Sequence, residues 1–499
     1  MRVRRYTRMR LVARKLDLDA DAHIAVLNQR DASRIGLVPG SRVEIAHDGK
    51  RLVAIVDFSK SYIKQGEIGL FADTWDALGL DGSKDIDISP MPDPESTFYI
   101  RKKLDGKRLT DEEIHAIILD IVENRLTSAE AAAFISAAYI HGFNAEETVA
   151  LTNAIVASGE SVAIEKEPVV DKHCIGGIPN NRTTMLVVPI LTSLGFYMPK
   201  LSSRAITSPA GTADTMEVLA PVDLDAETVK EITETVGGVM AWGGGTKIAA
   251  ADDKLIAIRR PLSLDPRGML LASILAKKKA VSSQYVLIDI PVGPEAKIPN
   301  IRKGEELAEQ FIDIGTRLGM HMKAVLTDGS APIGRGVGPV LEARDVLEIL
   351  SGAGPQDLRK KGAELAAHII SFVKGIPFDE ALRVADGQIS SGAALKKFRE
   401  IVEAQGGDPD VKPEDLRPGK YSETIFADRD GKVYHVSNHA VARLARAAGA
   451  PFQKGAGIYL HVRVGDRVHK GDPVYTLYSD SKRLLKDALE QVDGVVRIG

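Results

Sequence analysis

Apolar segments of strand length alternate with helix-like segments through the middle of this chain, and this alternation limits the folds open to it. Glycine-rich turns follow several of these segments, which lie at residues 169–170, 196–198, 285–292 and 323–327. Such alternation favours a mostly parallel sheet with helices on both faces, in which ligands bind at the carboxyl ends of the strands. We therefore expect a central α/β domain that binds phosphate, formed by residues 166–249 together with 283–415.

One segment of that region is unusually rich in hydroxyl groups. Residues 202–212, SSRAITSPAGT, which we call the serine loop, carry five Ser or Thr side chains around one cation, Arg204. Small residues let backbone N–H groups approach an oxyanion, and hydroxyls and a guanidinium add further donors. We expect this loop to hold a phosphate group. A solvated loop without a ligand is the alternative.

A second segment carries two consecutive glycines, Gly176 and Gly177. Residues 172–184, KHCIGGIPNNRTT, which we call the glycine loop, lie between a short apolar strand and the apolar run 185–194. A strand, a glycine turn and a helix start point the N-terminus of the helix at an anion. Neither loop matches a Walker A sequence or a Rossmann fingerprint, so the usual nucleotide motifs are absent.

Together the two loops resemble the signature of the thymidine phosphorylase family, KHxxGG followed about thirty residues later by SxRxxxxxxGTxDxxE. The matching residues are Lys172, His173, Gly176, Gly177, Ser202, Arg204, Gly211, Thr212, Asp214 and Glu217. The resemblance extends from about residue 102 to the C-terminus. It implies phosphorolysis of an N-glycosidic bond.

Bulk properties exclude several other classes of protein. The formal net charge of −3 gives no reason to expect nucleic acid or an anionic membrane as the main partner. A single cysteine, Cys174, excludes an intramolecular disulfide and a zinc site built on cysteines. No apolar run approaches the ~18 residues that a spanning helix needs. We expect a cytoplasmic protein.

The N-terminal part contains an internal duplication. Residues 35–45, IGLVPGSRVEI, are echoed by residues 78–88, LGLDGSKDIDI, and Asp48-Gly49 predicts a tight hairpin turn. A small β-rich barrel over residues 1–95 is the natural interpretation. It resembles the double-psi type of barrel by analogy of fold alone.

Capping boxes mark a helical region after the linker prolines Pro92 and Pro94. Three boxes follow in succession, namely Thr110 with Glu113, Thr127 with Glu130, and Asn144 with Glu147. We expect a helical subdomain of residues 96–165 plus 250–282, and a C-terminal α+β domain of residues 416–499. The fold class is therefore a multidomain α/β protein with an N-terminal barrel.

The helical insert contains our candidate for a catalytic acid, Asp265. An N-cap followed by proline at the first helical position would by itself explain Asp265 and Pro266. However, Asp265, Met269, Ser273 and Lys277 are spaced by four, which predicts one helical stripe. A polar stripe of this kind can face a cleft.

Three further features of the sequence favour a nucleotide rather than a nucleoside as the substrate. The sequence SSRAITS at 202–208, the N-terminal barrel and LSLDP at 262–266 resemble the archaeal AMP phosphorylases. This resemblance implies that AMP and inorganic phosphate give adenine and ribose 1,5-bisphosphate, with CMP and UMP as further substrates. It also implies a homodimer or larger homo-oligomer, and no metal or cofactor, since inorganic phosphate is itself a substrate.

The resemblance also implies roles for particular residues. Asp265 would donate a proton, and substrate contacts would come from Gly177, Ser203, Arg204, Ala205, Ile206, Thr207, Ser208, Thr212, Ser273 and Lys297. Five further residues complete the predicted site: Lys172, His173, Thr183, Ser202 and Lys277.

Three other functions remain open from the sequence. A thymidine or pyrimidine nucleoside phosphorylase would share the KHxxGG loop. A phosphoribosyltransferase of the anthranilate type would share the helical and α/β arrangement but would need Mg²⁺. A non-catalytic nucleotide sensor would bind a nucleotide without turnover.

Overall fold

The structure is a computed structural model that describes residues 8–20, 22–205, 208–244, 248, 250–262, 264–491 and 493–499, with residue 260 described by its backbone alone. The chain divides into two compact units. The first comprises Met1–Gly159 and Ala250–Ser273, and the second comprises Glu160–Ala249 and Ile274–Gly499. The division into four domains stays a prediction. Across the described residues, no helix combines the length and the apolar character needed to cross a bilayer.

Six strands close a barrel in the first unit. They are β1 (Met9–Lys15), β2 (Ile24–Asn28), β3 (Arg42–His47), β4 (Lys50–Ser59), β5 (Glu67–Leu70) and β6 (Asp85–Met91), and their order around the barrel is β1-β5-β2-β4-β3-β6. Apolar side chains such as Leu27, Ile45 and Ile68 are fully buried in its core.

The predicted duplication is visible in the barrel. Helix α1 (Gln29–Arg34) lies between β2 and β3, and helix α2 (Ala72–Leu78) lies between β5 and β6. Each helix is followed by a glycine with positive φ, Gly36 at 73° and Gly79 at 68°. The Asp48-Gly49 turn is also confirmed, because both residues have positive φ and His47 pairs with Lys50 across the hairpin.

Four helices follow the barrel: α3 (Ser96–Leu104), α4 (Asp111–Val122), α5 (Ser128–His141) and α6 (Ala145–Ala157). All three predicted capping boxes are present at the starts of α4, α5 and α6. Each box satisfies backbone N–H groups that a helix N-terminus leaves without intrahelical partners. The local sequence therefore fixes where three of these helices begin.

The second unit begins with alternating strands and helices. In chain order these are β7 (Val170–Cys174), α7 (Thr184–Thr192), β8 (Met198–Ser202), α8 (Thr212–Met216), α9 (Ala226–Val236) and β9 (Gly238–Trp242). An insert follows, of which Ala250–Ser273 belongs to the first unit; it contains α10 (Ala250–Arg259), a 3₁₀ turn (Arg260–Leu262) and α11 (Arg267–Ala280). The alternation resumes with β10 (Tyr285–Val292), α12 (Ile301–Arg317) and β11 (His321–Asp328).

The described strands of this region pair in parallel. β7, β10 and β11 form a sheet in the order β11-β10-β7, and β8 pairs with β9. A parallel bridge between Val169 and Tyr197 connects the two groups. The chain therefore leaves β7, β8 and β10 at the same end of the strands, which gathers the loops that follow them.

Helices bury the sheet and position the glycine loop. All nine residues of α7 are buried, as expected for a helix that is apolar on every side. Strand β12 (Gly336–Val337) precedes the helices that pack around α7, which are α13 (Pro339–Leu350), α14 (Gln356–Lys374), α15 (Phe378–Ser390) and α16 (Ala393–Ala404). Because α7 begins directly after the glycine loop, its burial holds that loop in place.

The rest of the second unit is α+β in character. After a 3₁₀ turn (Pro413–Asp415) its elements are β13 (Tyr421–Phe426), β14 (Gly431–Val436), α17 (Asn438–Ala447), β15 (Gly457–Leu460), β16 (Arg467–Val468), β17 (Pro473–Ser479), α18 (Lys482–Leu489) and β18 (Val496–Ile498). The strands form two sheets, in the orders β12-β15-β17-β13 and β16-β14-β18.

A buried ion pair in the helical region generates a stability prediction. Glu147 accepts hydrogen bonds from Lys103 Nζ at 2.7 Å and from Leu109 N at 3.0 Å, and both charged side chains are 3% exposed. Glu147→Gln would leave the ammonium of Lys103 buried without a counter-charge. We expect the free energy of unfolding to fall by about 3–5 kcal/mol, measured by urea denaturation.

The matched control is Glu113→Gln, which removes the charge of another capping-box glutamate. Its partner Lys102 is 32% exposed, so water can solvate the ammonium that remains. The expected loss is at most about 1 kcal/mol. Equal losses of unfolding free energy in the two variants would contradict the claim that burial makes the Lys103–Glu147 pair the more stabilising of the two.

Candidate active site

The glycine loop leaves β7 and enters α7 through backbone conformations that favour glycine. Gly176 and Gly177 have φ values of 91° and 96°, and Asn180 has a φ of 55°. Glycine adopts such angles without a steric penalty, and Asn tolerates them better than most residues. Lys172 Nζ donates to Thr183 Oγ1 at 2.6 Å, so a cation joins the two ends of the loop.

The predicted residues of this loop differ in their exposure. Lys172 and Thr183 are fully buried and support the loop from beneath, whereas Gly177 is exposed. Burial lowers the pKa of Lys172. It lowers the pKa of His173 well below its ordinary value, and the charges of nearby lysines act in the same direction. The imidazole of His173 is therefore neutral at pH 7.

Beneath the loop lies a carboxylate that binds two further lysines. Asp171 is fully buried, with Lys278 Nζ at 2.7 Å and Lys200 Nζ at 3.2 Å. Burial opposes ionisation of Asp171, but these two ammonium groups hold its pKa below the ordinary value. Burial lowers the pKa of Lys200 to about 7. The pair of contacts ties β7 to β8 and to α11.

A second buried carboxylate extends this charged region. Asp289 Oδ2 lies 3.8 Å from Lys172 Nζ and 3.8 Å from Lys361 Nζ, and its Oδ1 accepts from Thr327 Oγ1 at 2.6 Å. We call Asp171, Lys172, Lys200, Lys278, Asp289 and Lys361 the buried lysine cluster. It contains four lysines and two carboxylates, so it carries a net positive charge when all four lysines are protonated. Positive potential in a low-dielectric interior favours an anion nearby.

The serine loop folds back on itself around Asp214. Asp214 Oδ2 accepts from Ala205 N at 2.6 Å and from Gly211 N at 2.8 Å. A Cβ atom on Gly211 would lie 2.4 Å from the carbonyl oxygen of Ser203 and 2.8 Å from Ala205 N. Glycine is therefore required at 211 by the close approach of backbone, although its φ of −97° is an ordinary one.

Arg204 binds protein groups in this structure. Its guanidinium makes a bidentate pair with Glu217 at 2.7 and 2.5 Å and lies 4.7 Å from the centre of the Trp242 ring. Lys454 Nζ also contacts Glu217, at 2.5 Å. Bonds to Arg204 and Lys454 outweigh burial and lower the pKa of Glu217 to about 2. These contacts position the start of the serine loop, and the substrate contact of Arg204 stays a prediction.

Arg182 brings the two loops together. From the glycine loop, its Nη1 donates to Thr212 Oγ1 at 3.0 Å and its Nη2 donates to the carbonyl oxygen of Ala210 at 3.1 Å. Its Nε lies 2.6 Å from Glu342 Oε2, and the arginine is 8% exposed. Two segments that are about thirty residues apart in sequence therefore meet, as the sequence predicts for a shared phosphate site.

Glu342, near the start of α13, completes this junction. It is fully buried and accepts from Gly338 N and from Thr215 Oγ1, each at 3.2 Å. Burial raises its pKa to about 7, against the effect of Arg182. The junction thus connects the two loops to the helix that covers them.

The loop after β10 lies against the glycine loop. A Cβ on Gly177 would be 3.0 Å from Lys297 N, so the structure brings these two predicted residues together. Glu295 in the same loop accepts from Ser437 Oγ at 2.7 Å and from His439 N at 3.1 Å at the start of α17. The C-terminal region therefore holds the loop that contains Lys297.

The other serine-loop residues are placed as follows. Ser203 is exposed, and Ser208 Oγ donates to the carbonyl oxygen of Ala210 at 3.0 Å. The hydroxyl oxygen of Ser202 is buried and has no hydrogen-bond partner among the described residues. Ile206 and Thr207 lie outside the described residues.

The acid candidate Asp265 belongs to the first unit. Its Oδ1 lies 3.2 Å from Arg259 Nη1, and its side chain is 34% exposed. In the same unit, Ser273 Oγ donates to Asp252 Oδ2 at 2.8 Å, and both residues are buried. Each predicted residue is thus oriented by a neighbour that the sequence analysis did not single out.

The predicted polar stripe on α11 is wrong in part. The helix begins at Arg267, so Asp265 precedes it, and Met269 is 2% exposed. Lys277 lies four residues after Ser273 in the same helix, and its Cε would be 3.8 Å from a Cβ on Gly243. The spacing of four places Ser273 and Lys277 on one face of the helix, but Asp265 lies before the first helical residue and is not part of that face.

Sequence reasoning missed Arg182, Asp289 and Glu342. Arg182 is part of the glycine loop, but nothing in its spacing indicates a partner in the serine loop. Asp289 is the single acidic residue of the apolar segment LIDIPV, and Glu342 directly follows the apolar residues PVL at the start of a helix. A charge inside a buried segment is the one signal that could have identified them, because such charges are rarely buried without partners.

Three protein-family models match this chain. Residues 98–159 match the glycosyl transferase family helical bundle domain, and residues 166–395 match the glycosyl transferase family a/b domain. Residues 432–499 match the pyrimidine nucleoside phosphorylase C-terminal domain. These matches confirm the multidomain α/β class with a helical region, an α/β region and a C-terminal region.

Proteins named AMP phosphorylase are similar along nearly the whole chain. The protein from Methanococcoides burtonii is 43% identical over 483 residues, which cover 97% of this chain and 95% of that protein. The protein from Natronomonas pharaonis is 43% identical and covers 98% of each chain. The protein from Pyrococcus furiosus is 43% identical over 95% of this chain and 94% of its own.

Among solved structures, the anthranilate phosphoribosyltransferase from Thermus thermophilus is similar with a TM-score of 0.54. The match covers 62% of this chain and 99% of that chain, at 18% sequence identity. At that identity the likeness concerns the fold alone.

The crowding around Gly211 generates a prediction about phosphate. In Gly211→Ala the new methyl group would displace the backbone of the serine loop at residues 203–205. We expect the affinity for inorganic phosphate, measured by calorimetry, to fall about tenfold or more, because hydrogen bonds to charged groups are lost.

Gly387→Ala is the control, since Gly387 lies within helix α15 and has open space where the methyl group would be added. Its phosphate affinity should equal that of the unsubstituted chain. Unchanged affinity in Gly211→Ala would show that the close backbone approach is not needed for binding.

Proposed function

The chain belongs to the AMP phosphorylases, within the thymidine and pyrimidine nucleoside phosphorylase family, and we infer that it cleaves AMP with inorganic phosphate. The products are adenine and ribose 1,5-bisphosphate, and CMP and UMP are further proposed substrates. The observation that carries this inference is the similarity to AMP phosphorylases along nearly the whole chain, which includes the N-terminal barrel.

The proposed reaction is a substitution at C1′ of the ribose. A phosphate oxygen forms a bond to C1′ while the bond from C1′ to the base nitrogen breaks, and the base leaves with the bonding electrons and gains one proton. Positive charge develops on the sugar in the transition state, next to the phosphate dianion. Holding both reactants in this geometry can remove several kcal/mol from the barrier.

We propose that the glycine and serine loops hold the two phosphate groups. The junction through Arg182 supports this assignment, because it places Thr212 beside the end of the glycine loop. The exposed backbone of Gly177 and the adjacent Lys297 would contact substrate, together with Ser203, Arg204, Ala205, Ile206, Thr207 and Ser208. The positive charge of the buried lysine cluster favours these anions, and the proposal includes no cofactor.

Asp265 is the proposed proton donor to the departing base, and Ser273 the proposed base contact. The Arg259 contact at 3.2 Å fixes the orientation of the carboxyl group of Asp265. General acid catalysis by a positioned group contributes roughly 10²- to 10⁴-fold in rate. In the same way, Asp252 orients the hydroxyl of Ser273.

Several finer features of the architecture are also proposals. The duplicated strand–helix–strand halves and the parallel pairs β1-β5 and β2-β4 support a barrel of the double-psi type. The parallel pairing of the described strands supports a mostly parallel central sheet. We propose a cytoplasmic location. We also propose a homodimer or larger assembly, which is supported by the exposed apolar side chains of Phe98, Tyr139 and Ile140 in the helical region.

A pyrimidine nucleoside phosphorylase is the second candidate function. The match of residues 432–499 to the C-terminal domain of that group favours it. The two functions differ in the 5′-phosphate of the substrate. Comparing turnover of nucleosides with turnover of nucleoside 5′-monophosphates therefore distinguishes the two functions.

A product assay with phosphate and a panel of substrates tests the function. The panel contains AMP, CMP, UMP, adenosine, uridine and thymidine, and released base is measured by chromatography. We expect release of adenine from AMP, with little or no release of base from the nucleosides. Turnover of nucleosides without turnover of 5′-monophosphates would contradict the inference and favour the second candidate.

Asp265→Asn tests the proposed acid. The amide keeps the size of the side chain but cannot supply the proton, so we expect kcat for AMP to fall roughly 10²-fold or more with the KM for AMP little changed. Asp81→Asn is the control, because Asp81 is an exposed carboxylate of the barrel. Undiminished kcat in Asp265→Asn would remove this residue from the mechanism.

A further inference from the structure

We propose that Arg182 is a positioning residue of the phosphate site, which holds the Thr212 hydroxyl as a hydrogen-bond donor toward inorganic phosphate. This inference rests on the proposed function, since it assigns a role within the same site. Its basis is the direction of one hydrogen bond. Arg182 Nη1 lies 3.0 Å from Thr212 Oγ1.

The chemistry of the two groups fixes that direction. A guanidinium has donors and no acceptor, so Thr212 Oγ1 must accept the hydrogen bond from Arg182. A hydroxyl that accepts in this way still has its own proton to donate. Among the described residues Thr212 Oγ1 has no second partner, so the proton is available to a ligand. A phosphate oxygen is suited to receive it because it accepts hydrogen bonds.

The surroundings prevent Arg182 from turning away. Its Nη2 donates to the carbonyl oxygen of Ala210 at 3.1 Å, and its Nε lies 2.6 Å from Glu342 Oε2. Glu342 is in turn held by Gly338 N and Thr215 Oγ1. Two nitrogens of the guanidinium therefore donate hydrogen bonds, and Nε makes an ion-pair contact that lacks hydrogen-bond geometry. A lysine could reproduce the charge of Arg182 but not this planar set of contacts.

A second hydroxyl of the serine loop supports a ligand at this loop. Ser202 Oγ, at the end of β8, is buried and has no hydrogen-bond partner among the described residues. An unpaired buried hydroxyl costs free energy, and a ligand that pairs with it removes that cost. The serine loop thus begins with an unpaired hydroxyl at Ser202 and ends with the oriented hydroxyl of Thr212.

A double-mutant cycle separates this role from a merely structural one. The variants are Arg182→Lys, Thr212→Val and the double variant, and Thr212→Val keeps the shape of the side chain. The Kd of inorganic phosphate is measured by calorimetry, and the KM values of phosphate and AMP by kinetics. Calorimetry needs no turnover, so a failure of the proposed function would appear separately, as an unsubstituted chain that binds phosphate but does not cleave AMP.

We expect each single variant to weaken phosphate binding about tenfold, and the double variant to be no weaker than either single variant. The KM for AMP should change less than twofold. Thr212→Ser should retain phosphate affinity because it keeps the hydroxyl. A loss of about a hundredfold in the double variant, the product of the two single losses, would overturn the proposal. Unchanged phosphate affinity in Thr212→Val would also overturn it. The Thr212→Val result holds even if Arg182→Lys does not fold.

Discussion

The contacts of Asp171 with Lys200 and Lys278 are the interaction on which the site depends. This carboxylate lies within β7, and the two lysines come from β8 and α11, so one buried group holds three elements together. Removing one partner from such a group leaves an uncompensated buried charge, which costs several kcal/mol. The glycine loop begins at the next residue, Lys172. The buried contacts of Asp171 therefore fix the start of the glycine loop.

The same cluster explains why the site suits anions. Four lysines surround two carboxylates, and the imidazole of His173 is neutral because burial lowers its pKa. The excess of positive charge lies beneath the loops rather than on the surface. A lysine buried in this way is shielded from solvent, so its field reaches a ligand with little screening. The protein can therefore attract phosphate although its overall charge is slightly negative.

Local sequence signals predicted local structure well. The three capping boxes, the Asp48-Gly49 turn and the duplicated halves of the barrel each depend on residues that are close in sequence, and all of them are confirmed. The α11 stripe was wrong for Asp265, because a period of four cannot show where a helix begins. Both loops were predicted from composition and order, and Arg182 confirms that they meet.

Partners that are distant in sequence could not be predicted. Arg182 joins Glu342 across 160 positions, and Glu295 reaches Ser437 and His439 at the start of α17. No periodicity relates such residues, because the fold alone brings them together. Through the Glu295 contacts, the C-terminal region holds the loop of the α/β region that contains Lys297.

The central claim is that the glycine and serine loops jointly hold inorganic phosphate. A crystal structure of the full chain soaked with phosphate tests it most directly. The account predicts one phosphate whose oxygens lie within about 3 Å of both the Gly177 backbone and Thr212 Oγ1. A phosphate bound to one loop alone, or at another surface while both loops stay empty, would contradict it.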